Sequence, residues 1–482
     1  MTTTLERANY KVTFGVLVLG VSAYALLQSL VIPALTTIQA SMHTTQNTVT
    51  WVVTAYLLSA SIFTPVMGRV GDMLGKEHVM VATLVALSLG SVVAGLATNV
   101  TVLIIGRVVQ GIGGGVMPLA FGIIRDEFPR EKLASAIGTI AAMTAVGGGA
   151  GLIVAGPILE HLGLHWLFWI PFFMTTIAAV LTYFLVPESP VRTPGRISLW
   201  AVALLSAWLV ALLVAVSEAP TWGWLATKTL ALGGLGVLLL VVWVMVELRV
   251  NDPVVDMKMM RIPAVWTNNL VAFLFGVGMY SVMAFLPEFV QTPRSVGYGF
   301  SASTVASGLF LIPLTLGMFF VGLYSGRIAE RFGSKAAVVV GSAVSGGGYL
   351  VLALAHAKSW EVYLASALLG VGLGLAFSAM SNLIVRAVPA HQTGIASGMN
   401  ANIRTIGGAV GAGVMSSIVT SRMLASGAPA ESGYSHGFMF LAGCTALAVV
   451  AAIFIPAAPA DHEQHLNHAE LAMVPGGTLT EG

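Results

Sequence analysis

The chain has 482 residues, 57% of them hydrophobic and 9% charged, with a formal net charge of +2 and a mean hydropathy of +0.90. Soluble chains carry roughly 25% charged residues, so this composition excludes a soluble globular protein, and no basic run marks a nucleic-acid surface. The single cysteine, Cys444, lies in an apolar run, which rules out an internal disulfide and a thiolate metal site.

Apolar runs of about 20 residues, each long enough to cross a bilayer, recur along the whole chain. Fourteen spans are expected, at 12–38, 48–68, 78–98, 100–124, 134–159, 166–186, 198–217, 227–247, 265–289, 303–326, 336–356, 361–385, 395–420 and 436–458. The first is too long for a cleavable signal peptide and reads as a span. An even number places both termini on one side. Sixteen of the 22 lysines and arginines fall in the termini and loops of that side; Lys228, Arg294, Lys358 and Arg422 fall opposite, and Arg107 and Arg404 fall inside spans. The positive-inside rule then makes the termini cytoplasmic, in a multi-pass protein of the cell (inner) membrane.

Span 2 ends in the turn Gly68-Arg-Val-Gly-Asp-Met-Leu-Gly-Lys-Glu77, and span 10 ends in Gly326-Arg-Ile-Ala-Glu-Arg-Phe-Gly-Ser-Lys335, offset by 258 residues. Gly68, Arg69, Asp72 and Gly75 match Gly326, Arg327, Glu330 and Gly333, with Lys76 and Arg331 as further cations in the turns. Glycines allow two helix ends to approach closely, and the acids and bases can form ion pairs that hold and release a packed arrangement. These residues are candidate gates. Arg107-Val-Val-Gln110-Gly111 in span 4 is echoed around Gly370–Gly374 in span 12. The glycines of span 5 (Gly138, Gly147, Gly148, Gly151) are echoed by Gly398, Gly407, Gly408 and Gly411 in span 13. Six spans therefore repeat, and spans 7 and 8 are a surplus that follows the Pro-rich break Pro187–Pro194. The expected division is an N-terminal six-helix bundle (1–186), a linker with two extra helices (187–261), a C-terminal six-helix bundle (262–458) and a disordered cytoplasmic tail (459–482).

These motifs resemble those of the major facilitator superfamily, in its fourteen-helix drug:proton antiporter branch, and the resemblance covers nearly the whole chain. The turn after span 2 carries it most strongly, Arg107–Gly111 less so. Two departures stand out. The antiporter motif Gly-Pro-x-x-Gly-Gly is here Gly151-Leu-Ile-Val-Ala-Gly156 followed by Pro157, and the acid common in span 1 is missing, with Gln28 the nearest polar residue. The resemblance implies a major facilitator fold, two pseudo-symmetric six-helix bundles plus two extra central helices, rocking about a midplane site. It also implies proton-driven export of small amphipathic or aromatic compounds such as drugs, dyes or antibiotics, with Arg107 biasing the protonation of its neighbours.

Arg107 lies roughly 10 Å deep at 1.5 Å per residue, where a charge is costly and should face the interior. Arg404 is the other buried cation and shares a helix face with Asn400. With no acid in span 1, Glu288 is the candidate proton carrier, alongside Asp72. Tyr24, Gln28, Tyr56, Gln110, Met117, Asn268, Asn269, Met279, Tyr280, Phe377, Met380 and Asn382 join Asn400 and Arg404 as candidate cavity residues, because Met and aromatic side chains adapt to varied apolar ligands. Asp126, Glu127 and Glu131, interleaved with Arg125, Arg130 and Lys132, read as a solvated cytoplasmic network supporting the gate. His161 and His165, beside Trp166 and Trp169, read as an interfacial aromatic belt. Phosphate-loop, zinc-protease and serine-hydrolase motifs are missing, so no enzyme, cofactor or metal is expected. The expected partners are a small-molecule cargo, protons and the bilayer, with the protein acting as a monomer. Two other readings stay open: a dedicated exporter or facilitator of one metabolite, lipid or siderophore, and a non-transporting membrane sensor or scaffold.

Overall fold

A computed structural model of the chain describes residues 10–44, 46–189, 198–250, 253–389 and 392–456. The long helices are α1 (Tyr10–Leu30), α2 (Gln46–Leu74), α3 (Lys76–Gly95), α4 (Val100–Glu127), α5 (Arg130–His161), α6 (Trp166–Leu185), α7 (Leu199–Trp222), α8 (Thr227–Glu247), α9 (Pro263–Gln291), α10 (Thr304–Phe332), α11 (Ser334–Leu354), α12 (Ser359–Ala387), α13 (Thr393–Val419) and α14 (Glu431–Ile453). The polar tail with its histidines lies outside the described residues.

Thirteen of these helices are long and apolar enough to span a membrane. The exception, α13, carries Asn400, Asn402, Arg404 and a series of glycines, which dilute its hydropathy. It packs against protein on several sides, touching α2, α4, α7, α9 and α14. The degree of enclosure sorts the others: 89% of the α12 window is buried, against 17% for α8, whose Val237, Leu238 and Met245 face outward.

Local sequence explains where helices break. The run expected as one span at 12–38 stops at Leu30, and a 3-10 turn at Ile32–Ala34 accommodates Pro33. Inside α4, Ile112–Gly115 tightens into a 3-10 turn whose glycines press on Leu87, Thr64 and Met67. Asn99 caps α4 by accepting from the Val102 N–H at 3.0 Å. The span expected at 198–217 is longer, since α7 runs to Trp222 before Gly223 turns the chain at φ +95°.

The packing repeats. α1 packs on α5 and α6, α2 on α4, and α3 on α4 and α6. In the second set α9 packs on α13 and α14, α10 on α12, and α11 on α12 and α14. The two sets also meet reciprocally, α5 against α10 and α12, and α13 against α2 and α4. The result is two pseudo-symmetric six-helix bundles. The extra helices α7 and α8 pack on each other, and α7 lies along the seam between α2 and α13.

Candidate functional site

The turn at the end of α2 is a buried charge network. Gly75, at φ +110°, lets the chain leave α2 and re-enter a helix at Lys76. Asp72 and Lys76 are each 1% exposed. Lys76 Nζ lies 2.7 Å from Asp126 Oδ2 and 3.7 Å from Asp72 Oδ1. Gly122 leaves room for the lysine stem, since a Cβ there would sit 2.5 Å from Lys76 Cδ. The Ser189 hydroxyl donates to Asp126 Oδ2 at 2.5 Å and its N–H to Glu77 Oε2 at 2.8 Å. Asp126 is therefore not part of a solvated network: its side chain is 2% exposed and neutralises a buried lysine. Lys132 does lie at the surface, bonded to the Tyr10 hydroxyl at 2.6 Å.

The same turn is where the bundles meet. A Cβ on Gly68 would sit 2.6 Å from the Gly394 carbonyl, so α2 and α13 touch backbone to backbone there. The Asp72 carboxylate faces the first turn of α13, at Gly394 and the Ile395 N–H, where a helix N-terminus favours negative charge. Arg125 Nη1 donates to the Val385 carbonyl at 2.5 Å and to Thr393 Oγ1 at 2.6 Å. Across the other seam, Asn382 Nδ2 donates to the Ala134 carbonyl at 3.2 Å and Ser378 Oγ to that of Gly138 at 3.3 Å. This end of the molecule, the signature end, is closed by contacts between bundles.

The second turn is not equivalent. Gly326 packs against Ser135 and Gly333 turns the chain at φ +81°, as in the first copy. Arg327 and Arg331, however, are exposed and lie over the Tyr324 and Phe332 rings at 5.6 and 5.5 Å. The Glu330 side chain lies outside the described residues.

Deeper, Met117 and Phe121 of α4, Phe377, Ser381 and Ile384 of α12, and Ser397, Asn400, Ala401 and Arg404 of α13 line a narrow cleft between the bundles. Its volume is about 10 Å³, room for roughly one water. The Arg404 guanidinium lies 4.4 Å over the Phe377 ring, with Tyr280 and Tyr24 in electrostatic range. Asn400 Nδ2 donates to Asn269 Oδ1 at 2.8 Å. On the far side Arg107 is fully buried: Nε donates to the Val52 carbonyl at 3.0 Å, Nη1 donates to Gln110 Oε1 at 2.8 Å, and the guanidinium stacks 4.1 Å over Tyr56. Gln110 passes the chain on to Ser91 Oγ at 2.9 Å, and Tyr56 lies within hydrogen-bonding reach of Tyr24. Tyr56 and Tyr24 thus stand between the two buried arginines, Tyr56 in electrostatic range of Arg107 and Tyr24 in range of Arg404.

The other sequence-derived candidates are dispersed. Asn268 donates to the Met380 carbonyl at 2.9 Å inside the C-terminal bundle, and Gln28 and Met279 are half-buried. Glu288 accepts from the Tyr434 hydroxyl at 2.9 Å, within one bundle and away from the cleft lining. The glycine ladder packs helices. A Cβ on Gly147 would sit 2.7 Å from Ala25 of α1, Gly151 presses on Ser29, and a Cβ on Gly156, just before Pro157, would sit 2.7 Å from Val305 of α10; Gly148 contacts nothing nearby. His165 Nδ1 is 2.9 Å from the Gly95 carbonyl, beside the exposed Trp166.

One residue at the site gave no sequence signal. Glu247, the last residue of α8, is 2% exposed and accepts weakly from the Val255 N–H at 3.4 Å. It lies within electrostatic range of Arg69, which is 8% exposed. Among the described residues Glu247 Oε1 and Arg69 Nε have no hydrogen-bond partner. The extra helices therefore bring a carboxylate to the signature turn.

Fold and comparison agree. The sequence profile of the Major Facilitator Superfamily matches residues 17–412, and the chain belongs to that family of transporters rather than to an enzyme family. It is 27% identical over 377 residues to the multidrug transporter protein MdtP of Bacillus subtilis, covering 77% of this chain and 69% of that one. It is 28% identical to the tetracenomycin C resistance and export protein of Streptomyces glaucescens (84% and 75% covered). It is 29% identical to the uridine/deoxyuridine transporter of Lactococcus lactis (81% and 83% covered). The crystal structure of the human organic anion transporter MFSD10 (TETRAN) superposes with a TM-score of 0.65 at 15% identity, covering 92% of this chain and 99% of that one.

Proposed function

We propose that the protein exports small amphipathic or aromatic compounds by alternating access, with the signature end facing the cytoplasm and both termini on that side of the cell membrane. The observation that carries this reading is the closure at the signature end, where Asp72 and Arg125 of the N-terminal bundle engage the start of α13 and the end of α12. A cleft lined from both bundles lies behind that closure. Such a latch has two states, and a cargo in the cleft can bias them. Two relatives named for multidrug transport and antibiotic export support the cargo class.

Coupling to protons is part of the proposal. Arg107 sets the electrostatic environment of Tyr56 and Tyr24, Glu288 carries the proton, and Asp72 links protonation to the latch. The functional unit is a monomer, since each bundle finds its partner within the chain. A dedicated transporter of one metabolite is the second reading, supported by the relative named as a uridine/deoxyuridine transporter. Efflux of a chemically varied panel from energised cells, with and without a protonophore, separates the two. Protonophore-sensitive export of several unrelated aromatics supports the first, and export of one compound alone supports the second.

A further inference from the structure

The central cleft holds a positive charge that the protein does not balance. Arg404 is 8% exposed, and among the described residues its Nε has no hydrogen-bond partner. The groups in electrostatic range of its guanidinium are the phenols of Tyr280, which is also within hydrogen-bonding reach, and of Tyr24; among the described residues no carboxylate is in range. Arg107, fully buried outside the cleft lining, also faces no carboxylate: Nε and Nη1 are bonded to Val52 and Gln110, Tyr56 is the group acting on its charge, and among the described residues Nη2 has no partner. The acids nearest in sequence or function are committed elsewhere. Asp72 and Asp126 flank Lys76, and Glu288 is bonded to Tyr434.

A cation–π contact such as the one to Phe377 returns less than the burial of an unpaired charge costs. The imbalance is relieved by a negative charge entering the cleft. The lining suits one. Ser397 sits seven residues before Arg404, two turns back on the same face of α13, and its hydroxyl also has no partner. Phe121, Phe377 and Met117 supply flat and adaptable apolar walls. A fixed cation at the same place repels positively charged compounds.

We propose that the cleft between α4, α12 and α13 binds aromatic anions, a planar ring system bearing a carboxylate, sulfonate or phenolate, with Arg404 recognising the charge through its planar fork and Ser397 adding a second donor. This assignment rests on the exporter reading, and names its cargo class. Loading requires the bundles to part, because the closed cleft holds about 10 Å³.

The test uses three probes of one shape on the purified full-length protein: naphthoate, naphthamide and naphthyltrimethylammonium. Naphthoate is expected to bind most tightly and the ammonium compound most weakly. Arg404→Gln should weaken naphthoate by about 10- to 100-fold, the worth of a hydrogen bond to a charged group. Naphthamide, which has no charge to lose, should weaken by less than naphthoate, and a cooperative thermal unfolding transition shows that the variant is folded. Arg404→Lys should recover part of the loss, keeping charge without the fork. Equal binding of the three probes, tighter binding of the ammonium compound, or a naphthoate preference that survives Arg404→Gln overturns the assignment. The exporter reading is judged separately, by cellular efflux of neutral naphthamide, which does not need the anion site.

Discussion

Arg125 of the N-terminal bundle donates to the carbonyl of Val385 in the C-terminal bundle at 2.5 Å, and the same nitrogen reaches Thr393 Oγ1 at 2.6 Å. The two acceptors bracket the loop between α12 and α13, so one guanidinium ties down both helices. Charge-assisted hydrogen bonds of this kind are worth about 1.5–3 kcal/mol each. Arg125→Ala is expected to depopulate the closed signature end and cut efflux about tenfold or more at normal membrane abundance. Wild-type efflux in that variant would remove Arg125 from the latch.

Asp72 acts from the other side of the same contact, facing the first turn of α13. Asp72→Asn keeps the shape and removes the charge that favours a helix N-terminus, an effect of up to about 2 kcal/mol in buried geometry. Lys76 retains Asp126 at 2.7 Å, so folding should survive while export falls severalfold. Membrane abundance and thermal stability measured beside efflux separate the two effects.

Among the described residues Arg107 has no acid partner, yet its bond to the Val52 carbonyl and its stacking on Tyr56 hold α4 to α2, while its bond to Gln110 lies within α4. Arg107→Ala should abolish gradient-driven export, and Arg107→Lys should recover only part, because lysine lacks the five-donor fork. Full activity in Arg107→Ala would return the residue to a packing role.

Much of this was legible in the sequence for a simple reason: a charge or a glycine cluster inside an apolar run is conspicuous. The Gly68–Glu77 turn, its copy at Gly326–Lys335, and the buried Arg107 and Arg404 stand out that way. What could not be read were the partners. Arg125 binds the backbone carbonyl of Val385, and a carbonyl has no sequence signature. Asp126 looked solvated because it is flanked by charges, and only the fold turns it inward against Lys76. Glu247 ends a helix, where an acid is unremarkable, and its importance depends on the docking of α8 near Arg69. The two turns share a pattern but not a setting, since Arg327 and Arg331 are exposed where Arg69 and Lys76 are buried.

Glu247 gives the extra helices a testable role. Glu247→Gln keeps the side-chain size and removes the charge that lies within electrostatic range of Arg69. A coupling of about 1 kcal/mol corresponds to roughly a fivefold fall in export. Arg69→Gln should give a similar fall, and the double variant should be no worse than either single one, as expected for residues acting through one interaction. Additive losses would show that the two act separately.

Glu288, bonded to Tyr434 at 2.9 Å, is the proposed proton carrier. In proteoliposomes Glu288→Gln should exchange cargo at wild-type rates but fail to concentrate it against a gradient when a pH difference is imposed. Tyr434→Phe should leave accumulation intact. Wild-type accumulation by Glu288→Gln would move the coupling to other residues.

Alternating access requires the signature end and the opposite end to open in turn. The single native cysteine, Cys444, can be replaced, and spin labels placed on exposed Glu131 and Arg386 at the signature end, and on exposed Leu162 and Leu354 at the other. Pulsed electron–electron distance measurements on wild type, Arg125→Ala and Asp72→Asn then test it directly. A longer Glu131–Arg386 distance and a shorter Leu162–Leu354 distance are expected in both variants. Variants that lose export while both distances stay as in wild type would contradict it.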